Sequence, residues 1–188
     1  GVGPQLKLYP GAPVLVLGGR ARSVGLYAAG LAVALGAEQV DYIDTNKGRL
    51  QIAGKLGANP IRRQSGPKGF DQLRDLRSNG YPIVFDADGT DDAVLFAMKN
   101  LSPGGICTAA SFYFQPHVKF PLWDMMMKSS RFETGFARPR ADLPDILDVI
   151  ASGAFDPGLI TTKIADWQDA EAALMHPSAK VVLTRERF

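Results

Sequence analysis

The sequence predicts an α/β fold, a doubly wound parallel six-stranded sheet, on three observations. Short apolar β-type runs alternate with segments of helical periodicity, the pattern of a parallel sheet covered by helices on both faces. The first run ends in a glycine-rich turn that opens a helix-like stretch without a charge, and the second run ends in an aspartate. Taken in order, strands are expected over 13–17, 39–44, 59–62, 83–86, 105–111 and 132–137, the third having the weakest pattern. Between the first two, residues 23–35 are alanine-rich and uncharged, so they predict a helix buried on most sides, which Gly36 ends. Asp91 is expected to cap a helix whose Val94, Met98 and Leu101 form one stripe, while Leu143, Ile146, Leu147 and Ile150 repeat at i, i+3, i+4 and i+7. Both stripes are expected to lie against the sheet.

Composition narrows the function classes. The chain has 188 residues, 46% of them hydrophobic, enough for one main domain with a sizeable core. Its 21 basic and 19 acidic residues are interspersed, so no basic tract exists to neutralise a phosphate backbone, and nucleic acid is not an expected partner. Cys107 is the single cysteine, which excludes an internal disulfide and a multi-cysteine zinc cluster and points to a reducing, cytoplasmic setting. Charged or polar residues interrupt every apolar stretch before it could span a bilayer, and no basic segment leads into an apolar run at the N-terminus. A soluble protein is expected.

The main chemical signal is the first strand-to-helix turn, where Val14-Leu-Val-Leu17 runs into Gly18, Gly19, Arg20, Ala21, Arg22, Ser23, Val24 and Gly25. A dinucleotide pyrophosphate needs backbone N–H groups at a helix N-terminus, and glycines allow its close approach. Gly18 and Gly25 are seven positions apart, so this loop is two residues longer than the usual G-x-G-x-x-G. The other reading is a tight turn in which Gly25 packs the helix on the strand. Arg20 and Arg22 either clamp phosphate oxygens or point into solvent, and solvent is expected for at least one. Asp44 ends the second strand 19 positions beyond Gly25, the spacing of a carboxylate that accepts from adenosine ribose hydroxyls and disfavours a 2′-phosphate. A solvated strand-end aspartate is the alternative for Asp44 alone; the combination favours NAD over NADP.

Together, Val14-Leu-Val-Leu-Gly-Gly19, Ser23-Val-Gly-Leu26, Ala34-Leu-Gly-Ala37 and Asp44-Thr-Asn-Lys-Gly-Arg-Leu50 resemble the Rossmann-type cofactor domain of medium-chain, zinc-alcohol-dehydrogenase-like oxidoreductases. Val84-Phe-Asp-Ala-Asp-Gly89, Leu101-Ser-Pro-Gly-Gly105, Thr134-Gly-Phe136 and Ile150-Ala-Ser-Gly153 continue the likeness in order. The resemblance implies a dinucleotide-binding domain over 1–158. It assigns 159–188 to a catalytic domain whose larger part would precede this one. It further implies hydride transfer between nicotinamide and an alcohol, aldehyde or ketone, with zinc held by upstream ligands absent here, so this chain alone is expected to be inactive. His117 and His176 lack partners at metal spacing and are expected in ordinary loop or surface positions.

Carried over residue by residue, the likeness puts Arg49 along the adenosine ribose. Ala87, Asp88 and Gly89 leave the fourth strand, Ala110, Ser111 and Phe112 leave the fifth beside the nicotinamide, and Gly135, Phe136 and Ala137 form a second nicotinamide-side segment. Lys180 would reach the pyrophosphate if the tail is seated as in the family. The long glycine loop departs from the pattern, as does Asp88, where the family has a neutral hydroxyl residue. Its charge should cost affinity unless Arg20 or Arg22 compensates. Phe112, Tyr113 and Phe114 either line the substrate cleft or pack, packing being favoured. The sixth strand lies at a sheet edge that the family pairs across a two-fold axis, so a homodimer is expected. Met125, Met126 and Met127 offer adaptable apolar surface for such a contact, with core packing the favoured role. Two other classes share the early motifs: a non-catalytic dinucleotide module and an S-adenosylmethionine-dependent methyltransferase, though the latter usually closes its sheet with an antiparallel hairpin.

Overall fold

Four-residue runs such as Val-Leu-Val-Leu bury both faces only at the centre of a parallel sheet, and that is where they lie. The computed structural model describes residues 1–66, 68–73, 76–114 and 117–185. In chain order the elements are α1 (Val2–Leu8), β1 (Val14–Leu17), α2 (Val24–Ala34), β2 (Val40–Asp44), α3 (Lys47–Lys55), β3 (Asn59–Arg62), β4 (Tyr81–Asp86) and α4 (Asp91–Lys99). They continue with β5 (Leu101–Ala109), α5 (Leu122–Lys128), β6 (Arg131–Thr134), α6 (Pro139–Ala151), β7 (Lys163–Asp166), α7 (Ala170–Met175) and β8 (Val181–Thr184). The six-stranded sheet has the order β3-β2-β1-β4-β5-β6 with every pair parallel, the doubly wound Rossmann-type arrangement. Among the described residues no antiparallel hairpin closes it, which removes the structural basis for the methyltransferase reading.

Strand alternation divides the core. Val14, Val16, Ile83 and Phe85 face one buried cluster with Leu26, Ala29 and Ala32 of α2; Leu15, Leu17 and Val84 face the other with Val94, Ala97 and Met98 of α4. Helix α2 matches the uncharged stretch closely, and Gly36 ends it with φ +84°. Strand β5 begins four residues earlier than predicted because Ser102 to Gly105 is not a separate turn: Tyr81 pairs with Leu101 and Ile83 with Ile106, so those residues bulge within the strand. Strand β6 stops at Thr134 and not at 137.

Several expectations are corrected. Thr90, not Asp91, caps α4: its hydroxyl accepts from the Ala93 N–H at 3.3 Å, and Asp91 is the first helical residue, where its charge suits the helix dipole. The α6 stripe does not lie on the sheet. Leu143 and Leu147 are 48% and 56% exposed, because the helix turns its Asp142, Asp145, Ile146 and Val149 side toward α1 and α2. Of the methionine run only Met125 packs against the core; Met126 and Met127 lie on the exposed side of α5. Helix α1 escapes sequence reading since Gly1, Gly3 and Pro4 carry low helix propensity, and burial of Val2, Gln5 and Leu6 overrides it. Strands β7 and β8 form a separate parallel pair in the C-terminal segment. Among the described residues no helix is long and apolar enough to cross a membrane.

Candidate functional site

In a doubly wound sheet the crevice opens where the strand order reverses, here between β1 and β4 at their C-terminal ends. Gly18 follows β1 and donates its N–H to the Ile43 carbonyl at 2.8 Å. A Cβ on Gly18 would collide with the Tyr42 hydroxyl and the Asp44 carboxylate, and one on Gly19 with the Asp88 carboxylate. The glycine pair is therefore demanded by the protein's own side chains, whatever else approaches the turn. Gly25 lies 3.4 Å from the Gly18 Cα as measured from an added Cβ, so it sets the close packing of α2 on β1. The longer loop folds on itself: Ala21 donates to the Ala87 carbonyl at 3.0 Å and Val24 to the Ala21 carbonyl at 3.0 Å. Ser23, the N-cap of α2, makes no side-chain cap bond, and the first-turn N–H groups of a helix have no intrahelical acceptors.

At the end of β2, Asp44 is fully buried, which rules out the solvated alternative. Its carboxylate accepts from the Tyr42 hydroxyl (2.8 Å), the Asn46 N–H (2.9 Å) and both Nε and Nη2 of Arg49 (2.7 Å each). Asn46 in turn caps α3 by accepting from the Arg49 N–H, so the helix start fixes the arginine opposite the carboxylate. Burial and the neighbouring Asp44 charge push the Tyr42 phenol far above its ordinary range, so it stays a donor. Burial opposes the charge on Arg49, and the Asp44 hydrogen bond and charge outweigh it, raising its pKa. Four donors fill the carboxylate; a ribose hydroxyl reaches Asp44 only by replacing one of them.

The fourth-strand exit is a second buried acidic turn. Asp86 accepts from the N–H groups of Asp88 (2.8 Å) and Gly89 (3.2 Å) and from the Tyr113 hydroxyl (2.6 Å), yet burial still raises its pKa. Gly89, at φ +74°, lies so close to Ser111 that a side chain would strike it. Ala110 donates to the Asp86 carbonyl at 2.9 Å and Ser111 to that of Asp88 at 3.3 Å, tying the β5 exit to the β4 exit. Asp88 is buried, accepts from Thr90 at 2.8 Å, and is paired with Arg63. The compensating cation is thus Arg63 and neither Arg20 nor Arg22: both loop arginines are exposed, Arg22 reaching only the Ser178 carbonyl at 3.3 Å. Burial drives the Cys107 thiol well above its usual range, so it is no nucleophile.

Two clefts flank the turn. One of about 290 Å³ is lined by Arg22, Asn46, Arg49, Ile52, Thr162 and Ser178, seating the C-terminal segment beside the β2 exit. The other, about 190 Å³, is lined by Arg20, Gly89, Thr90, Tyr113 and Phe114. Of the expected residues, Arg22 and Arg49 line the first cleft and Arg20 and Gly89 the second; Gly18, Gly19, Ser23, Val24, Gly25, Asp44, Ala87, Asp88, Ala110 and Ser111 lie at or just after the C-terminal ends of β1, β2, β4 and β5, while Lys180 is exposed on the tail. Gly135, Phe136 and Ala137 stand apart, Phe136 being 95% exposed. The packing expectation for the aromatic run fails at Phe112 and Phe114, 73% and 83% exposed, since only Tyr113 turns inward to Asp86. His117 and His176 are exposed. Sequence reading missed Arg63 and Tyr42, and named Tyr113 for the cleft or for packing without its bond to Asp86. Arg63 was findable, because ligands of such sheets bind beyond the C-terminal strand ends and an arginine pair, Arg62 and Arg63, stands at the end of β3.

Such a sheet, with a glycine turn and an acid at the ends of β1 and β2, defines a Rossmann-type domain of the dinucleotide-crevice class. The family model for zinc-binding dehydrogenases matches residues 23–152, and this chain belongs to that family. It is 28% identical over 180 residues to a probable D-xylulose reductase A of Aspergillus clavatus, covering 93% of this chain and 49% of that protein. It is 31% identical over 155 residues to a probable zinc-binding alcohol dehydrogenase of Mycobacterium tuberculosis, covering 82% of this chain and 39% of that one. An alcohol dehydrogenase from Thermus sp. ATN1 superposes with a TM-score of 0.81 at 28% identity, covering 97% of this chain and 54% of the other. The chain spans about half the length of the curated relatives it matches.

Proposed function

We propose that this chain is the NAD(H)-binding domain of a medium-chain dehydrogenase that moves a hydride between nicotinamide and an alcohol or carbonyl compound. One observation carries it: the glycine turn, an uncapped helix start and a buried carboxylate–arginine pair stand side by side at the strand-order reversal. The residues fit the cofactor. First-turn N–H groups of α2 would face the pyrophosphate, with Asp44 and Arg49 at the adenosine ribose and Ala110, Ser111 and Phe112 on the nicotinamide side. Gly135 to Ala137 would complete that side against a neighbouring surface, and Lys180 would approach the pyrophosphate from the tail. When bound, the nicotinamide supplies the hydride chemistry, and this chain binds and orients it. NAD(H) is favoured over NADP(H), because the Asp44 carboxylate disfavours a second phosphate at the ribose.

The residues do not fit zinc: among the described residues no group of three or more His, Cys, Asp or Glu side chains is placed to hold a metal. Zinc, the substrate and turnover belong to the parent protein, with residues 159–188 joining its catalytic domain. We also propose a cytoplasmic homodimer, in which β6 at the sheet edge pairs with its symmetry copy beside exposed Leu122, Trp123, Met126 and Met127. Light scattering at high protein concentration tests this; a monomer contradicts it. A non-catalytic module is the second reading, favoured by the four donors that fill Asp44. Calorimetric titration with NADH separates the two readings from absence of binding, and alcohol-dependent NADH formation by the whole protein separates enzyme from module.

A further inference from the structure

Arg63 stands where β3 ends, and its N–H donates to the Asp44 carbonyl at 3.0 Å, so its backbone adjoins the carboxylate assigned to the adenosine ribose. Its side chain leads away. The guanidinium meets Asp88, donates from Nη1 to the Gln64 carbonyl at 3.2 Å and lies 4.4 Å over the Phe70 ring. Because β2 and β1 lie between β3 and β4 in the sheet, the Arg63–Asp88 pair forms a strap across the ends of those two strands. The strap bears on the glycine turn, since Asp88 occupies the space a Gly19 side chain would take. Both partners are buried, with side chains 11% and 3% exposed, and Arg63 Nε is buried without an acceptor. A buried ion pair is weak evidence of a stabilising role, since apolar packing serves stability as well.

We propose that Asp88 is a specificity-determining residue that ties Arg63 away from the adenosine 2′ position and so silences a cation that would otherwise recruit a 2′-phosphate. This rests on the dinucleotide reading of the crevice. Neighbouring strand ends are about 4.8 Å apart, well within the sweep of an arginine released from Asp88. A guanidinium matches the fork geometry of a phosphate, and its orphaned Nε adds a donor that the carboxylate does not use. Asp44 already holds the Nε and Nη2 donors of Arg49, so the cation whose release would add to the site is Arg63. The two buried pairs thus set two carboxylates against two guanidiniums.

The probes are 5′-AMP and 2′,5′-ADP, which present the adenosine end alone, together with NADH. Binding is measured by calorimetry at low salt for the wild type, Asp88→Ser, Asp88→Asn and the double variant Arg63→Met/Asp88→Ser, each checked for folding by thermal melting. Either Asp88 variant should raise the preference for 2′,5′-ADP over 5′-AMP at least tenfold, and the gain should shrink as salt rises. Asp88→Asn keeps the side-chain shape should Asp88→Ser not fold. The double variant leaves no unpaired buried charge and should return to the wild-type ratio within twofold. An unchanged ratio in a folded Asp88 variant that still binds NADH overturns this proposal alone. So does a tenfold fall below the wild-type ratio in the double variant, which would mean that Arg63 already serves the phosphate. A folded wild type that binds neither NADH nor 5′-AMP overturns the dinucleotide reading and the proposal with it.

Discussion

The two halves of the crevice are built differently. On the β3-β2-β1 side, the buried Asp44 carboxylate meets Arg49, Arg63 reaches across to Asp88 at the β4 exit, and Tyr42, Asn46 and the C-terminal segment close around the Asp44 pair. On the β4-β5-β6 side, Phe112, Phe114 and Phe136 stand in solvent beyond the strand ends. Apart from Arg63 Nε, the buried polar groups of the first half find partners within the chain. The second presents apolar surface that gains nothing until something covers it, as a substrate domain would.

That contrast is broken most severely at Asp44. Asp44→Ala leaves Arg49 and Tyr42 without their shared partner, and breaking a buried pair in this way costs about 3–5 kcal/mol. Urea denaturation should show it, and a loss under 1 kcal/mol would mean the pair is dispensable. Next comes Gly18→Ala, whose methyl group must displace Tyr42 or Asp44. Overpacking of this kind costs about 1–3 kcal/mol, and NADH titration should show weakened binding as the network shifts. Smaller is Thr90→Ala, which removes the α4 cap and a donor to Asp88 for about 1 kcal/mol, read as a lowered melting temperature. At the opposite end of the scale, Phe136→Ser on the exposed side should change stability by less than about 0.5 kcal/mol. A larger loss there would show that the second half is packed after all.

Asp86 sharpens the comparison by pH. Its carboxyl titrates above the ordinary range because burial disfavours the charge, so the folded state binds its proton more tightly than the unfolded state. The group therefore stabilises fully below the unfolded pKa, near 4, and that contribution is lost as pH rises through the higher folded pKa. Asp86→Asn, which removes the ionisation, should gain stability relative to wild type as pH rises from 4 toward neutrality. Melting curves across that range would contradict the assignment if the difference moved the other way.

The sequence made the sheet legible because β1, β2, β4 and β5 contain short apolar runs flanked by turn residues, and two chemical signals, the glycine turn and Asp44, stand at successive strand ends. Asp44 was legible as a strand-end acid but not as one filled by four donors, since the Asn46 N–H and the Arg49 guanidinium join it only once Asn46 caps α3. Arg63 and Asp88 are 25 positions apart, and nothing local relates them; only the strand order brings them together. The α6 stripe misled for a similar reason. Its apolar pattern fits a helix face, but which face is covered depends on where α1 and α2 stand, and α1 itself was hidden by its glycines and proline.

The central claim is that the crevice between β1 and β4 binds a nicotinamide dinucleotide with Asp44 at the adenosine ribose. Calorimetric titration of the folded chain with NADH and NADPH, repeated on Asp44→Asn, tests it directly. NADH should bind more tightly than NADPH, and the substitution should weaken NADH by about 1.5–3 kcal/mol, the range for a hydrogen bond to a charged group, while NADPH loses little. Equal or tighter NADPH binding by the wild type, or no heat with either dinucleotide, would contradict the account.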